Sequence, residues 1–415
     1  MVMNALVAIT LLLCAPVGSE SAVNQWLQSA EGSAVRVRTA WEEFQCWPLI
    51  GRVYSRRGDV NRAVAAITHI SKDKLRWNAL GSLAQEAADR GAFEEARSIL
   101  NHAADHRLRT GYLQLVADIA SLQHNFAVAE QFCTVLDDAD LRQEAWYGLA
   151  AEEALACQYD LALRTAQRVG ERGEWSRERL LEFIESCRRR SGCRQPKPFI
   201  ADLADEVFSI GGREWTPRTD DISIHDRLMN DRSDPIQRAV SSTLVARWCL
   251  RHNQAARCRF AIATAAESLS LIRNDYQRVA CCADLAETML DAGLSVEAKG
   301  VVDAEASRDT VAAVLKEPAV KEPDVCALPP KLVFVLIRLG KIADAFEVAT
   351  SASGLLLGRD TWWAAGVGCA LEGKTGEVAR RLPTMDRDRD KAILAAGVAL
   401  GLQELAEKER HKARR

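Results

Sequence analysis

Three observations predict an all-α fold built as an α-solenoid, a stack of helical hairpins with a 33-residue period in two arrays separated by an irregular insert. The first is composition. The 415 residues are 48% hydrophobic and 27% charged, with only 6% aromatics and 11 Pro. Those values fit a folded helical chain better than a disordered or all-β one. The second is a repeat. In Gly58-Asp-Val60-Asn-Arg-Ala63, Gly91-Ala-Phe93-Glu-Glu-Ala96, His124-Asn-Phe126-Ala-Val-Ala129 and Cys157-Gln-Tyr159-Asp-Leu-Ala162, the apolar residue steps 60, 93, 126, 159 and the alanine 63, 96, 129, 162, each 33 apart. The third is the absence of proline from Leu49 to Gln195, which leaves room for uninterrupted helices.

In chain order, Ala5 to Ala15 is an uncharged apolar run of signal-peptide length, followed by Pro16-Val17-Gly18-Ser19-Glu20. It is too short to span a bilayer, and small residues at Val17 and Ser19 place cleavage after Ser19. Residues 1–19 are therefore expected to be a signal peptide. That makes the chain exported, periplasmic or secreted, if the segment is removed and cytoplasmic if it is not. No other stretch reaches the ~18 consecutive apolar residues of a stable membrane span. Of 12 Cys, 11 would remain after that cleavage, and no spacing resembles a disulfide framework. Free thiols are the expectation, with Cys133, Cys282 and Cys369 packed as small hydrophobes. Cys187 and Cys193 flank Arg188-Arg189-Arg190; a loop disulfide and a lowered thiol pKa both remain open there.

Residues 20–187 form the first expected array. Trp47, Leu80, Leu113 and Trp146 keep the 33-residue step, as do Ile50, Leu83, Val116 and Leu149, then Gly51, Ala84, Ala117 and Ala150. Leu80, Leu83, Ala84 and Ala87 share one face of a helix, which Gly91 ends. Phe93, Ala96, Ile99 and Leu100 then form the inner face of a second helix. Such a hairpin cannot cover its apolar face alone, so neighbours must stack. Small residues at Gly51, Ala63, Ala96, Ala129 and Ala162 let paired helices approach closely. The Pro- and Gly-rich segment 188–235 is read as a linker. A second array occupies 236–408, where Gly340 to Gly373 repeats the 33-residue step, and 409–415 is a basic tail.

Trp47-x2-Ile50-Gly51-x2-Tyr54 and the Gly91-Ala-Phe93-Glu-Glu-Ala96 turn resemble the tetratricopeptide repeat family (TPR-like). The period is one residue shorter than the family's, and its closing Pro is missing; HEAT and Sel1-type solenoids stay open as alternatives. The resemblance implies that the first helix of each hairpin lines a binding groove. It places Arg52, Gln85, Gln114, Asp118, Glu144 and Tyr147 there, with Gln45, Pro48, Asn78 and Gly81 alongside. The Lys and Asn clamp that grips a peptide carboxylate in some family members is not reproduced. The implied ligand is a polar extended peptide with an aromatic or basic anchor, and Tyr147 is the expected contact.

Chemistry-bearing motifs are sparse. His102 and His106, four apart, are expected on one helix face, yet the catalytic Glu and a third ligand for zinc are missing. Asp386-Arg-Asp388-Arg-Asp390 lacks the Gly and Glu that close a calcium loop. No phosphate-binding, dinucleotide or nucleophile-elbow motif occurs. Glu94-Glu95 and Glu152-Glu153 are read as solvated. Trp47, Trp146 and Trp362 are read as core, and Trp26, Trp175, Trp215 and Trp363 as freer to bind. The formal charge of −3 disfavours a nucleic-acid partner. The expectation is a non-catalytic protein- or peptide-binding scaffold without cofactor or metal. An exported all-α enzyme acting on polysaccharide and a helical-repeat nucleic-acid binder are the alternatives.

Overall fold

A computed structural model describes residues 20–171, 175–190, 229, 234–315, 328–352 and 358–414. The expected signal peptide, most of the 188–235 linker, Cys193 and Trp215 lie outside them. The described residues form twenty α-helices and one 3-10 turn, with no strand. They belong to two compact units, Val37–Glu206 and a second that joins Met1–Arg36 to Val207–Arg415. The first described helix, α1 (Glu20–Ala34), belongs to the latter unit.

In the Val37–Glu206 unit, four helices of 17 residues alternate with short ones. The long helices are α2 (Ala40–Arg56), α4 (Asp73–Asp89), α6 (His106–Leu122) and α8 (Ala139–Leu155). The short ones are α3 (Val60–Thr68), α5 (Phe93–Leu100), α7 (Phe126–Thr134) and α9 (Tyr159–Ala166), and α10 (Arg177–Arg190) follows. Each long helix packs on the short helix after it and on the next long helix. Ala63, Ala96, Ala129 and Ala162 have no exposed surface, and Gly51, Ala84, Ala117 and Ala150 are buried opposite. Trp47 and Trp146 are buried with them, as are Phe93 and Phe126, while Tyr159 is half-buried.

Local chemistry starts and stops these helices. Thr39, Asp105 and Asp138 cap α2, α6 and α8 with their side chains, whereas Lys72 before α4 makes no such bond. Each long helix then ends on a left-handed residue: Gly58 and Gly91 at φ 76°, His124 at 57° and Cys157 at 62°. Around all four, the following amide reaches back to a carbonyl five residues earlier, as from Asn125 N–H to Ala120 O and from Gln158 N–H to Glu153 O, both 2.8 Å. This is the Schellman arrangement, which favours glycine because a Cβ is strained there. Cys157→Gly should therefore raise stability by about 1 kcal/mol, read as a higher urea midpoint; an unchanged or lower midpoint would count against the strain.

A second device joins neighbouring hairpins. Arg76 Nε donates to the Ile70 carbonyl at 2.9 Å, and Arg142 to the Leu136 carbonyl at 2.7 Å. In the other unit, Arg278 donates to the Ile272 carbonyl at 3.1 Å. Each guanidinium satisfies a carbonyl just past the preceding short helix and meets the negative end of its dipole.

The other unit continues with α11 (Pro235–Arg251), α12 (Ala255–Leu269), α13 (Asp275–Asp291), α14 (Ser295–Glu305) and α15 (Arg308–Val314). Then come α16 (Leu328–Arg338), α17 (Ile342–Ala352), α18 (Gly358–Leu371), α19 (Thr375–Arg381) and α20 (Asp388–Arg414). Helices α11, α13, α16 and α18 pair with α12, α14, α17 and α19 and pack on one another in series. Asn253, Gly293, Gly340 and Gly373 hold the left-handed turns. Pro329 and Pro330 sit in the first turn of α16, where a missing N–H costs nothing. Helix α20 is apolar around most of its circumference, from Ala392 to Leu402, because α18 and α1 both cover it. Trp26, expected to be free, is 1% exposed on α1. The helix Glu20–Ala34, grouped by its position with the first array, thus packs on the C-terminal helix. The basic tail is helical through Arg414.

Candidate docking face

Along α2, α4, α6 and α8 a line of residues at four-residue spacing escapes burial, as at Phe44, Pro48, Arg52 and Arg56 of α2, and so shares one face of each helix. Arg52, Gln85, Gln114, Asp118, Glu144 and Tyr147 all lie half-buried on these helices. Two of their expected companions do not line an accessible face. Gln45 is buried, and Gly81 lies beneath the ring of Tyr112 at a distance no Cβ would tolerate. Pro48 sits inside α2, where it cannot donate a backbone hydrogen bond.

The face changes character along the stack. At its first end Glu86 is gripped by Arg52 and, at 3.3 Å, by Arg56. Two helices later the carboxylates of Asp118, Glu144 and Glu152 make no hydrogen bond or ion pair with any described residue. Burial raises Asp118 to about 6, helped by the negative charges of Glu144 and Glu152. Burial also raises Glu152, opposed by His124. Gly148 gives this place an open floor, with Asp118 Oδ1 3.9 Å from where a Cβ would stand. Tyr147 meets Trp175 edge-on at 5.1 Å, and Trp175 remains 40% exposed. Leu122 and Leu155, at the C-termini of α6 and α8, are 57% and 48% exposed.

Sequence reasoning missed Glu86, Glu152, Leu122 and Leu155. The signal was available for the leucines, since a large apolar residue one turn beyond Asp118 continues the same helix face. It was not available for the glutamates, whose accessibility depends on partners in other helices. Glu95, read as solvated, accepts from Ser55 and from Arg90 at 3.3 Å with its side chain 13% exposed. Glu153, read likewise, is 2% exposed with one carboxylate oxygen unpartnered. His102 and His106 do not share a helix: α5 ends at Leu100, and His106 opens α6 with its Nε2 2.9 Å from Asp137. No group of three or more His, Cys, Asp or Glu suited to a metal ion occurs among the described residues.

The thiols are quiet. No disulfide joins the nine described cysteines. Burial pushes Cys133, Cys281, Cys282 and Cys369 up to about 12, leaving them protonated near neutrality. Among the described residues no helix is long and apolar enough to cross a membrane.

Glu153 carries a stability prediction. Burial raises its carboxyl to about 7, against a hydrogen bond with Thr165 that lowers it. Between pH 4.5 and 7 the folded chain thus holds a proton that the unfolded chain has released. Its contribution to stability is complete at low pH and is lost as pH rises through that window. Glu153→Gln should flatten this descent by on the order of 2–3 kcal/mol. Urea midpoints at pH 5 and pH 8 would measure it, and equal pH slopes in the two proteins would remove Glu153 as the source.

No family model matches the chain, and no curated protein or solved structure matches it either.

Proposed function

We propose that the chain is a non-catalytic scaffold, a TPR-like α-solenoid with a 33-residue repeat, that binds a protein or peptide along its long helices. The observation that carries this reading is the side-by-side packing of α2, α4, α6 and α8, which begin at residues 40, 73, 106 and 139. Helices repeated at equal intervals offer an extended surface rather than one deep pocket. The Tyr147–Trp175 pair supports it further, because rigid half-exposed aromatics give large contact area at low entropy cost. Export is part of the reading.

The test is a photo-cross-linking amino acid placed at Gln114 and, separately, at the exposed Glu94 of α5, in the native host. The expected result is a discrete cross-linked partner from Gln114 and none from Glu94. Capture from Glu94 alone would overturn the long-helix assignment, and capture from neither would overturn the scaffold reading.

A further inference from the structure

We propose that the face of α6 and α8 docks a basic amphipathic segment of a partner protein, with its cations on the three unpaired carboxylates and its apolar side chains on the leucines and aromatic pair that flank them. This rests on the scaffold reading above and names the chemistry of the partner.

The argument begins with how this chain treats other shielded carboxylates. Glu86 is held by Arg52 and Arg56. Asp284 is held by Arg247 of α11, at 3.4 Å, and by Lys331 of α16. Asp390 meets Arg389 at 2.6 Å. Acids taken partly out of water are thus given cations, which offsets the cost of desolvation. Glu153, buried on α8, lacks an ion pair, and on the accessible face so do Asp118, Glu144 and Glu152. The latter three are half-buried, near enough for Glu144 and Glu152 to raise Asp118, and without an ion pair to any described residue. His124 acts on Glu152 through space and forms no ion pair with it. An unmatched half-buried triad lowers the stability of the free protein, and a cationic partner would relieve it.

The apolar surroundings are an independent observation. Glu144, Gly148 and Glu152 lie at four-residue steps along α8, with Leu155 three residues on, and Asp118 and Leu122 are one turn apart on α6. Helices α6 and α8 pack against each other, so the exposed leucines and the Tyr147–Trp175 pair flank the carboxylates on one surface. Exposed large apolar side chains beside unpaired charge mark an interaction surface more than a solvated one. A segment with Lys or Arg among leucines complements both parts, and Trp175 and Tyr147 can also receive a cation on their ring faces.

The experiment uses the full chain and two labelled helical peptides. One carries Lys and Arg along one face and Leu along the other; its counterpart has Glu in place of every cation. The basic peptide is expected to bind, more weakly as salt rises, and the acidic one is not. The double variant Asp118→Asn, Glu144→Gln should lose roughly tenfold in affinity or more, and Glu94→Gln should lose nothing. The double variant should also melt no lower than the parent, because unmatched charges are being removed; a lower melting temperature would give these acids a structural role instead. Equal binding of both peptides, binding of neither, or full affinity in the double variant would overturn the inference. Persistence of the Gln114 cross-link in those cases would leave the docking-face reading standing, whereas its absence would remove that reading too.

Discussion

Replacing Gly366 with alanine should cost the protein on the order of 3 kcal/mol, although the change adds a single methyl group. A Cβ at Gly366 of α18 collides with the Leu394 carbonyl of α20 and comes within 2.8 Å of the Val398 nitrogen and 2.9 Å of Gly397 Cα. The contact is reciprocal. A Cβ at Gly397 would stand 2.6 Å from the Trp363 carbonyl, and one at Gly401 2.8 Å from that of Val367. Two backbones therefore touch along two turns, and no rotamer change can relieve the added methyl. The helices must separate, exposing the core formed by Ala365, Cys369, Leu394 and Val398. Gly300 of α14 is the control, with nothing within 4 Å of its Cβ position. Gly300→Ala should gain up to about 1 kcal/mol from helix propensity. Urea melts of the two variants should move in opposite directions; a Gly366→Ala midpoint at or above the parent's would refute the close approach.

Gly366 also shows which parts of the fold can be read without coordinates. The residues at which paired helices meet repeat at fixed spacing and must be small, so Gly51, Ala63, Ala96 and Ala129 announce their own role. The left-handed turns are legible where they hold Gly58 or Gly91. They remain legible at His124 and Cys157 only because the period carries the position forward. Features whose outcome depends on a distant partner are not legible this way. Trp26 looks free until α20 is placed over it. Glu95 looks solvated until Ser55 and Arg90 reach it. Arg76 and Arg142 look like ordinary surface cations until the carbonyls of the preceding hairpin are in place. The candidate site divides the same way. Tyr147, Asp118 and Glu144 are what the tetratricopeptide resemblance implies for the groove, but the missing cation beside them is visible only in three dimensions.

Ala129→Arg should be the most damaging change in the Val37–Glu206 unit, costing several kcal/mol. Ala129 lies on α7, which packs on α6, and has no exposed surface. The first hairpin shows how little room this column has, since a Cβ at Gly51 would already stand 3.1 Å from the Ala63 carbonyl. In the later hairpins Ala84, Ala117 and Ala150, all buried, occupy the facing column. An arginine there needs space for a long stem between two helices. Its charge can reach water only by wedging them apart, and the half-buried acids of α8 lie on another face and cannot receive it. Because α6 also packs on α4 and α8, the displacement should spread to the neighbouring hairpins and weaken the docking face. Ala92→Arg is the matched control. Ala92 precedes α5 at a half-exposed position, and the same side chain there should change stability by no more than about 0.5 kcal/mol. The two substitutions differ in position and not in chemistry, so coincident urea midpoints would mean that Ala129 does not stand between packed helices.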